Sequence, residues 1–419
     1  MTVHRETIRD DDRRHPAGAV GAGLARAAVR ALAVLGLWAA GLAGAWAQPV
    51  TVRFEVDLRA EAAAGRFDPA RDRVELRGGF PPLAWDRGLA LAPRGDGRWE
   101  AELRFERRPA GGQPVPHKFR IVRPGLGPDE GWEPGANHPA LLEGAAPSVA
   151  RVFGSAAAPA PSRLTGTVLM LEPLPAGHAL ARPVWVWLPP GYDAEPQRRY
   201  PVLYLHDGQN VFDARAAGAE WGVDEAAQRL VLAGEVQPFI VVAVPSGRDR
   251  IHELTPTRGG LHARFLGGGL AGYGAWLLDA LKPEIDRRFR TRPEPAHTAV
   301  GGSSLGGIAS LWLALHRADR VGAALVVSPS VWWDGFLPRR DVRATPPPEP
   351  RPRLWLDMGA NEGEGIFTES RALRDALVAQ GWAGSRLAYV EDPDGRHDEL
   401  SWAARVDGML RVLYGPPAR

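Results

Sequence analysis

The run Gly301-Gly-Ser-Ser-Leu-Gly-Gly307 constrains what this chain can fold into more than any other stretch. Thr298, Ala299 and Val300 before it read as a strand. Ile308, Leu311, Leu313 and Leu315 after it read as one face of a helix. Only Ser304 has glycine two residues away on both sides; Ser303 does not. A serine framed this way between strand and helix fits a tight turn that lifts its hydroxyl above a sheet. Glycine suits the flanks because a Cβ at either one is expected to press on neighbouring backbone. The other reading is a Gly-rich helix start that binds an anion.

The pattern around this run sets the sheet type. Apolar or β-branched runs fall at Val184–Leu188, Pro201–His206, Phe239–Val244, His297–Val300, Ala323–Val327, Leu354–Met358 and Leu387–Val390. Helical patterns lie between them, at Trp221–Ala233, Tyr273–Phe289, Leu305–Arg317 and Thr368–Gln380. Continuous apolar strands alternating with helices predict an α/β domain over 164–419, a mostly parallel sheet with helices on both faces. Residues 48–153 read differently. Val52, Phe54, Val56 and Leu58 alternate with polar residues, and short runs at Val74–Leu76, Trp99–Phe105 and His117–Val122 are separated by Gly- and Pro-rich turns. That predicts a small all-β sandwich. The uncharged Pro/Ala/Ser stretch 154–163 reads as a linker.

Residues 1–47 read as a signal peptide. Arg26 and Arg30 precede the uncharged run Ala31–Ala45, and Ala45-Trp-Ala47 fits the small-x-small cleavage rule. The run is shorter than the roughly 20 residues of a comfortable membrane span. The expectation is an exported protein, periplasmic or secreted, with no membrane span after cleavage. The chain has 51 basic and 49 acidic residues, a formal charge of +2. The leader carries six basic and four acidic side chains, leaving 45 of each beyond it. A neutral chain argues against a nucleic-acid partner. With no cysteine in 419 residues, disulfides, thiolate metal sites and cysteine nucleophiles are excluded.

A serine hydroxyl needs a base, and the base needs an orienting acid. In α/β sheets with this elbow the order is serine, acid, histidine. His316 and His397 are the histidines downstream of Ser304. His316 falls inside the helix pattern after the elbow, so His397, in the loop Glu391–Asp398 after a strand, is the candidate base. The acid should follow the strand Leu354–Met358. The candidates are Asp357, Glu362 and Glu364; Glu362, in Gly359-Ala-Asn-Glu-Gly-Glu-Gly365, leads, since the place of Asp357 within the strand points it between the sheet layers. The N–H of Leu305, next to the nucleophile, and that of Gly208 or Gln209 in the loop after His206 are candidates to hold an oxyanion. No His/Asp/Glu cluster recurs at metal spacing, even though His206 adjoins Asp207, so neither metal nor cofactor is expected.

Several spaced motifs resemble one family. They are Val186-Trp-Leu-Pro-Pro-Gly-Tyr192, Tyr200-Pro-Val-Leu-Tyr-Leu-His-Asp-Gly-Gln-Asn210, Arg250-Ile-His-Glu-Leu-Thr-Pro256, the elbow, Ser328-Pro-Ser-Val-Trp-Trp333, Gly359-x-x-Glu362 and Gly395-Arg-His-Asp-Glu-Leu-Ser-Trp402. Over 181–415 they resemble the esterase family of α/β-hydrolases that includes enterochelin esterases, feruloyl esterases and esterase D, with the enterochelin-esterase branch nearest. The resemblance implies a Ser304–His397–Glu362 triad and a small-molecule or glycan-linked ester substrate. Trp332 and Trp333 are expected to wall an acyl or aromatic pocket, or else to pack in the core. Arg250 is a candidate for anionic substrate groups. Arg396 stands where the family commonly has glycine, with little consequence expected. The first domain resembles, through Gly79-Phe-Pro-Pro-Leu-Ala-Trp85, His117-Lys-Phe119 and Trp132, the starch-binding β-sandwiches. That resemblance implies sugar contacts at Trp85, Lys118 and Trp132. The expected activity is therefore serine ester hydrolysis of a siderophore ester or a sugar-linked acyl or feruloyl ester. The alternatives are acyl transfer to a sugar, or a glycan-binding protein with a vestigial hydrolase domain.

Overall fold

The computed structural model describes residues 49–416, apart from 110–111, 128–129, 136, 145, 156–163, 172–181, 215–218 and 262–263. The expected leader and most of the expected linker lie outside the described residues.

Eight strands form the first part of the chain: β1 (Val50–Asp57), β2 (Arg73–Gly78), β3 (Leu89–Ala90), β4 (Ala92–Pro93), β5 (Arg98–Phe105), β6 (Val115–Val122), β7 (His138–Ala140) and β8 (Ser148–Val152). They make two four-stranded sheets, ordered β4-β5-β1-β8 and β3-β2-β6-β7. The period-two alternation predicted for β1 holds: Val50, Val52, Phe54 and Val56 are buried, while Thr51 and Arg53 face solvent. Their side chains meet Leu76, Phe105, Phe119 and Ile121 in one core between the sheets, which is the sandwich.

The rest of the chain forms β9 (Thr167–Leu171), β10 (Val184–Leu188), β11 (Val202–His206), β12 (Ile240–Val244), a hairpin of β13 (Arg258–Leu261) and β14 (Arg264–Gly267), then β15 (Thr298–Ser304), β16 (Ala323–Pro329), β17 (Arg353–Gly359) and β18 (Leu387–Asp392). All but the hairpin join one sheet ordered β18-β17-β16-β15-β11-β12-β10-β9. From β12 to β18 the pairing is parallel; β9 and β10 pair antiparallel at one edge. Successive residues feed opposite layers. Val202 and Tyr204 belong to one core and Leu203 and Leu205 to the other, so helices cover both faces. Among the described residues no helix is long and apolar enough to cross a membrane.

The sheet order brings the loops that matter to one edge. β11 pairs with β12 on one side and β15 on the other, so the chain turns opposite ways after these strands. The crevice at such a switch point, at the carboxyl ends of the strands, is where open α/β sheets place their sites. The segments after β11, β15, β16, β17 and β18 all end there.

The sandwich also packs on this part of the molecule. Ala219 and Leu400 are buried in the sandwich core. The Glu220 N–H donates to Gln113 Oε1 at 3.3 Å, and Arg396 Nη1 donates to the Leu83 carbonyl at 3.2 Å. Arg396 was expected to matter little. It instead ties the loop of His397 to the sandwich.

Candidate active site

Ser304 ends β15 with φ 58° and ψ −119°, a conformation that few non-glycine residues adopt. The helix Leu305–His316 starts at the next residue. This strained strand-to-helix turn holds the serine side chain away from the sheet. The glycine requirement is uneven. A Cβ on Gly302 would lie 3.0 Å from the backbone of Gly306, whereas one on Gly306 would sit 3.4 Å from His206 Cβ, an ordinary contact. The expected clash therefore holds at Gly302 and not at Gly306.

Glu362 and His397 come together. His397 Nδ1 bonds Glu362 Oε2 at 2.7 Å. The Glu362 side chain is almost fully buried, at 1% exposed, while that of His397 is 43% exposed. The second carboxylate oxygen of Glu362 accepts from Ser328 Oγ at 2.6 Å and from the Gly359 N–H at 2.9 Å. Burial pushes this carboxyl up, but the bonds and charge of His397, then Ser328 and Gly359, more than offset it and hold the group below the usual range. Trp402 stands edge-on to the imidazole, ring centroids 5.3 Å apart. The Ser304 hydroxyl pairs with Ser330 Oγ at 3.0 Å. In this arrangement its hydrogen bond goes to Ser330 rather than to the imidazole; such links commonly tighten only with substrate bound.

Asp357, the alternative acid, takes another part. It is fully buried, with Oδ1 accepting from the Ser328 N–H at 2.9 Å and Oδ2 from Trp355 Nε1 at 2.5 Å. Burial pushes its carboxyl up against the opposing pull of Arg405, Trp355 and Ser328. The N–H groups of Leu305, Gly208 and Gln209 have no hydrogen-bond acceptor among the described residues. Leu305 opens its helix, where the first amides point outward unpaired. Gly208 and Gln209 form one turn of 3₁₀-helix after Asp207, itself left-handed at φ 54°.

Other expected site residues are placed differently. Trp333 is fully buried in the core and donates from Nε1 to the Thr257 carbonyl at 3.3 Å. Trp332 beside it is 37% exposed. By sequence Arg250 is a candidate for anionic substrate groups. Its guanidinium instead forks onto both oxygens of Asp207, at 2.7 Å each, so the loop before Gly208 is the anion it binds. His206 is buried, its ring nitrogen 2.8 Å from the Tyr273 hydroxyl, and burial pushes it down to about 4, so it stays neutral. His316 pairs with Asp341 at the far end of its helix. In the sandwich Trp85 and Trp132 do meet, centroids 6.4 Å apart, but Arg77 and Arg120 lie over Trp132. The Lys118 ammonium donates to the carbonyls of Glu133 and Gly135. It thus braces the loop that carries Glu133 and Gly135.

Three side chains of the site went unread in the sequence: Ser328, Ser330 and Arg405. The first two sit in the matched run Ser328–Trp333, which marked the place but not their roles. Arg405 is one of 49 arginines and carries no local signal.

A strained serine, a histidine bonded to a buried glutamate and unpaired amides share this edge of the sheet. Residues 180–413, more than half the chain, match the family described as "Putative esterase". The chain belongs to that family. It is 28% identical over 254 residues to the iron(III) enterobactin esterase of Dickeya dadantii, a match covering 56% of this chain and 52% of that protein. It is 25% identical over 241 residues to the endo-1,4-beta-xylanase/feruloyl esterase of Xylanibacter ruminicola, covering 55% of this chain and 29% of that one. The chain thus spans about half the length of the first relative and under a third of the second. The crystal structure of the Shigella flexneri enterobactin esterase obtained in the presence of enterobactin has the same fold, with a TM-score of 0.57 at 17% identity. That likeness covers 82% of this chain and 88% of that one, so it reaches beyond the family-matched residues. The family match makes this chain an esterase-family hydrolase, similar in sequence to an enterobactin esterase and to a feruloyl esterase.

Proposed function

We propose that this esterase hydrolyses carboxylic esters through a Ser304–His397–Glu362 triad and an acyl-enzyme. The bond from His397 Nδ1 to buried Glu362, at the sheet edge that carries the Ser304 elbow, is the observation that supports it most. Glu362 fixes the imidazole with Nε2 outward and stabilises its protonated form. Nε2 takes the Ser304 proton as Oγ attacks the ester carbonyl. The amides of Leu305 and of Gly208 or Gln209 receive the oxyanion. The imidazolium then protonates the leaving alcohol, and a water activated by the same base releases the acid. A siderophore ester or a sugar-linked acyl or feruloyl ester is the substrate class, in keeping with the relatives' names. The leader sequence supports export to the periplasm or medium, which N-terminal sequencing of the mature protein checks.

Replacing Ser304→Ala should abolish hydrolysis of p-nitrophenyl acetate while leaving the fold intact; retained turnover would sink the proposal. A panel of enterobactin-type triesters, feruloyl sugars and acetylated xylan then assigns the substrate.

A further inference from the structure

Behind the proposed acid lies a buried arginine. Arg405 follows the helix Glu399–Ala403, and its side chain is 6% exposed. Nη2 donates to Ser328 Oγ at 2.9 Å and stands 3.3 Å from Asp357 Oδ1. Nη1 donates to Asp392 Oδ2 at 3.1 Å. These partners sit at or near the carboxyl ends of β16, β17 and β18, three neighbours in the sheet. Each strand leads into a segment of the site: β16 into Ser330, β17 into Glu362 and β18 into His397. A planar fork of fixed donors can hold three such ends at once; an ammonium cannot hold that geometry.

We propose that Arg405 is the positioning residue of this site, acting through Ser328 to hold Glu362 against His397. The proposal rests on the triad reading above. Ser328 is the connector. Its hydroxyl accepts from Arg405 and donates to Glu362 Oε1, so the cation polarises the bond that steadies the carboxylate. Ser328 is also held at φ 39°, a left-handed conformation unusual for a serine, with its N–H bonded to Asp357. Strain of this kind persists where surrounding bonds over-determine it. Two residues on, the Ser330 N–H donates to the Ser304 carbonyl at 3.1 Å and its hydroxyl pairs with Ser304 Oγ. One turn therefore serves both ends of the triad. The base loop is seated on the same guanidinium. A Cβ on Gly395 would lie 2.6 Å from Arg405 Nη1 and 2.8 Å from Asp392 Oδ2, and the Gly395 carbonyl accepts from the Asn361 N–H at 3.0 Å. The ionisable groups in this network are Asp357, Asp392, Glu362 and His397, and Asp398 and Glu399 face Glu362 and His397 from the helix that follows.

The test compares wild type, Ser304→Ala, Ser328→Gly and Arg405→Met by kcat, KM and pH profile on one nitrophenyl ester. Inactive wild type, or an active Ser304→Ala, defeats the triad reading and this inference with it. Given a Ser304-dependent wild type, Ser328→Gly removes one hydroxyl, keeps every charge and relieves the left-handed serine. Its kcat should fall about 10–100-fold, the range for outer supports of a site, with KM within about twofold. Loss of the donor, or of the cation in Arg405→Met, leaves the carboxylate less balanced and favours the protonated base. The acid limb of kcat/KM should therefore move to higher pH in both variants. Arg405→Met leaves Asp357 and Asp392 without their cation; if it does not fold, Ser328→Gly alone decides. A folded Ser328→Gly with wild-type kcat and an unmoved limb, or one changed only in melting temperature, overturns the proposal.

Discussion

Around Lys118 and Trp132 the polar side chains of the sandwich close on one another, whereas those at the edge of the large sheet leave one side open. Lys118 is taken by two carbonyls, Arg77 and Arg120 cover Trp132, and His138 pairs with Glu133 inside the core. At the sheet edge Glu362 is buried and bonded through both oxygens, but His397 shows 43% of its side chain to solvent and the amides of Leu305, Gly208 and Gln209 have no acceptor among the described residues. A self-satisfied cluster stabilises a fold. A site needs interior partners on one side and unmet valence on the other. By that criterion the carboxyl edge of the sheet is the candidate site for ester hydrolysis.

Substitutions can break this contrast, and Ser304→Ala has the largest expected effect. Next comes Glu362→Gln, which should lower kcat by about 10³–10⁴-fold by unsettling the imidazole. Asp357→Asn should cost far less, because that carboxylate does not touch His397; equal losses in steady-state assays would reverse their roles. Buried histidines give the next effect, on stability. His117 in the sandwich and His206 at the sheet edge are pushed by burial to about 3 and about 4 from 6.5. Below 6.5 the unfolded chain binds protons that the native state refuses, so stability falls with decreasing pH. The slope is about 1.4 kcal/mol per unit for each histidine until its folded value is reached. Melting temperatures from pH 7 to pH 4 check this, and removing His206 should flatten the slope. Arg396→Gly should cost kcat about fivefold, the worth of one net hydrogen bond, read in the same assay. The smallest effect is expected at Trp85 and Lys118, where alanine should leave ester hydrolysis unchanged and at most lower the melting temperature. A large loss of turnover there would place the sandwich in the site.

The sequence made legible what period and backbone conformation dictate. Continuous apolar runs located the central strands, and the glycine-framed serine located the elbow. The order of loops after strands located Glu362 and His397. What it hid depends on three-dimensional pairing. The helix Trp333–Ala344 carries left-handed residues at Asp334, Gly335 and Phe336 and a proline at 338, so no clean periodicity announced it. The hairpin β13–β14 and the edge strand β9 are four and five residues long, without alternation strong enough to read. Trp333 and Arg250 were named for their chemistry, and their partners, Thr257 and Asp207, decided their use. Arg405 was one charge among many until Ser328, Asp357 and Asp392 were seen around it.

Ala219 and Leu400 belong by sequence to the hydrolase half and by packing to the core of the sandwich. Neither half can melt without uncovering apolar surface of the other. Calorimetry should record one heat-absorption peak for both, with the van 't Hoff and calorimetric enthalpies in agreement. A hydrolase half cut free at the linker would carry a bared Leu400 three residues from His397, with its base loop unsupported. A single calorimetric peak would make the sandwich a fitted wall of the hydrolase half, through Ala219 and Leu400.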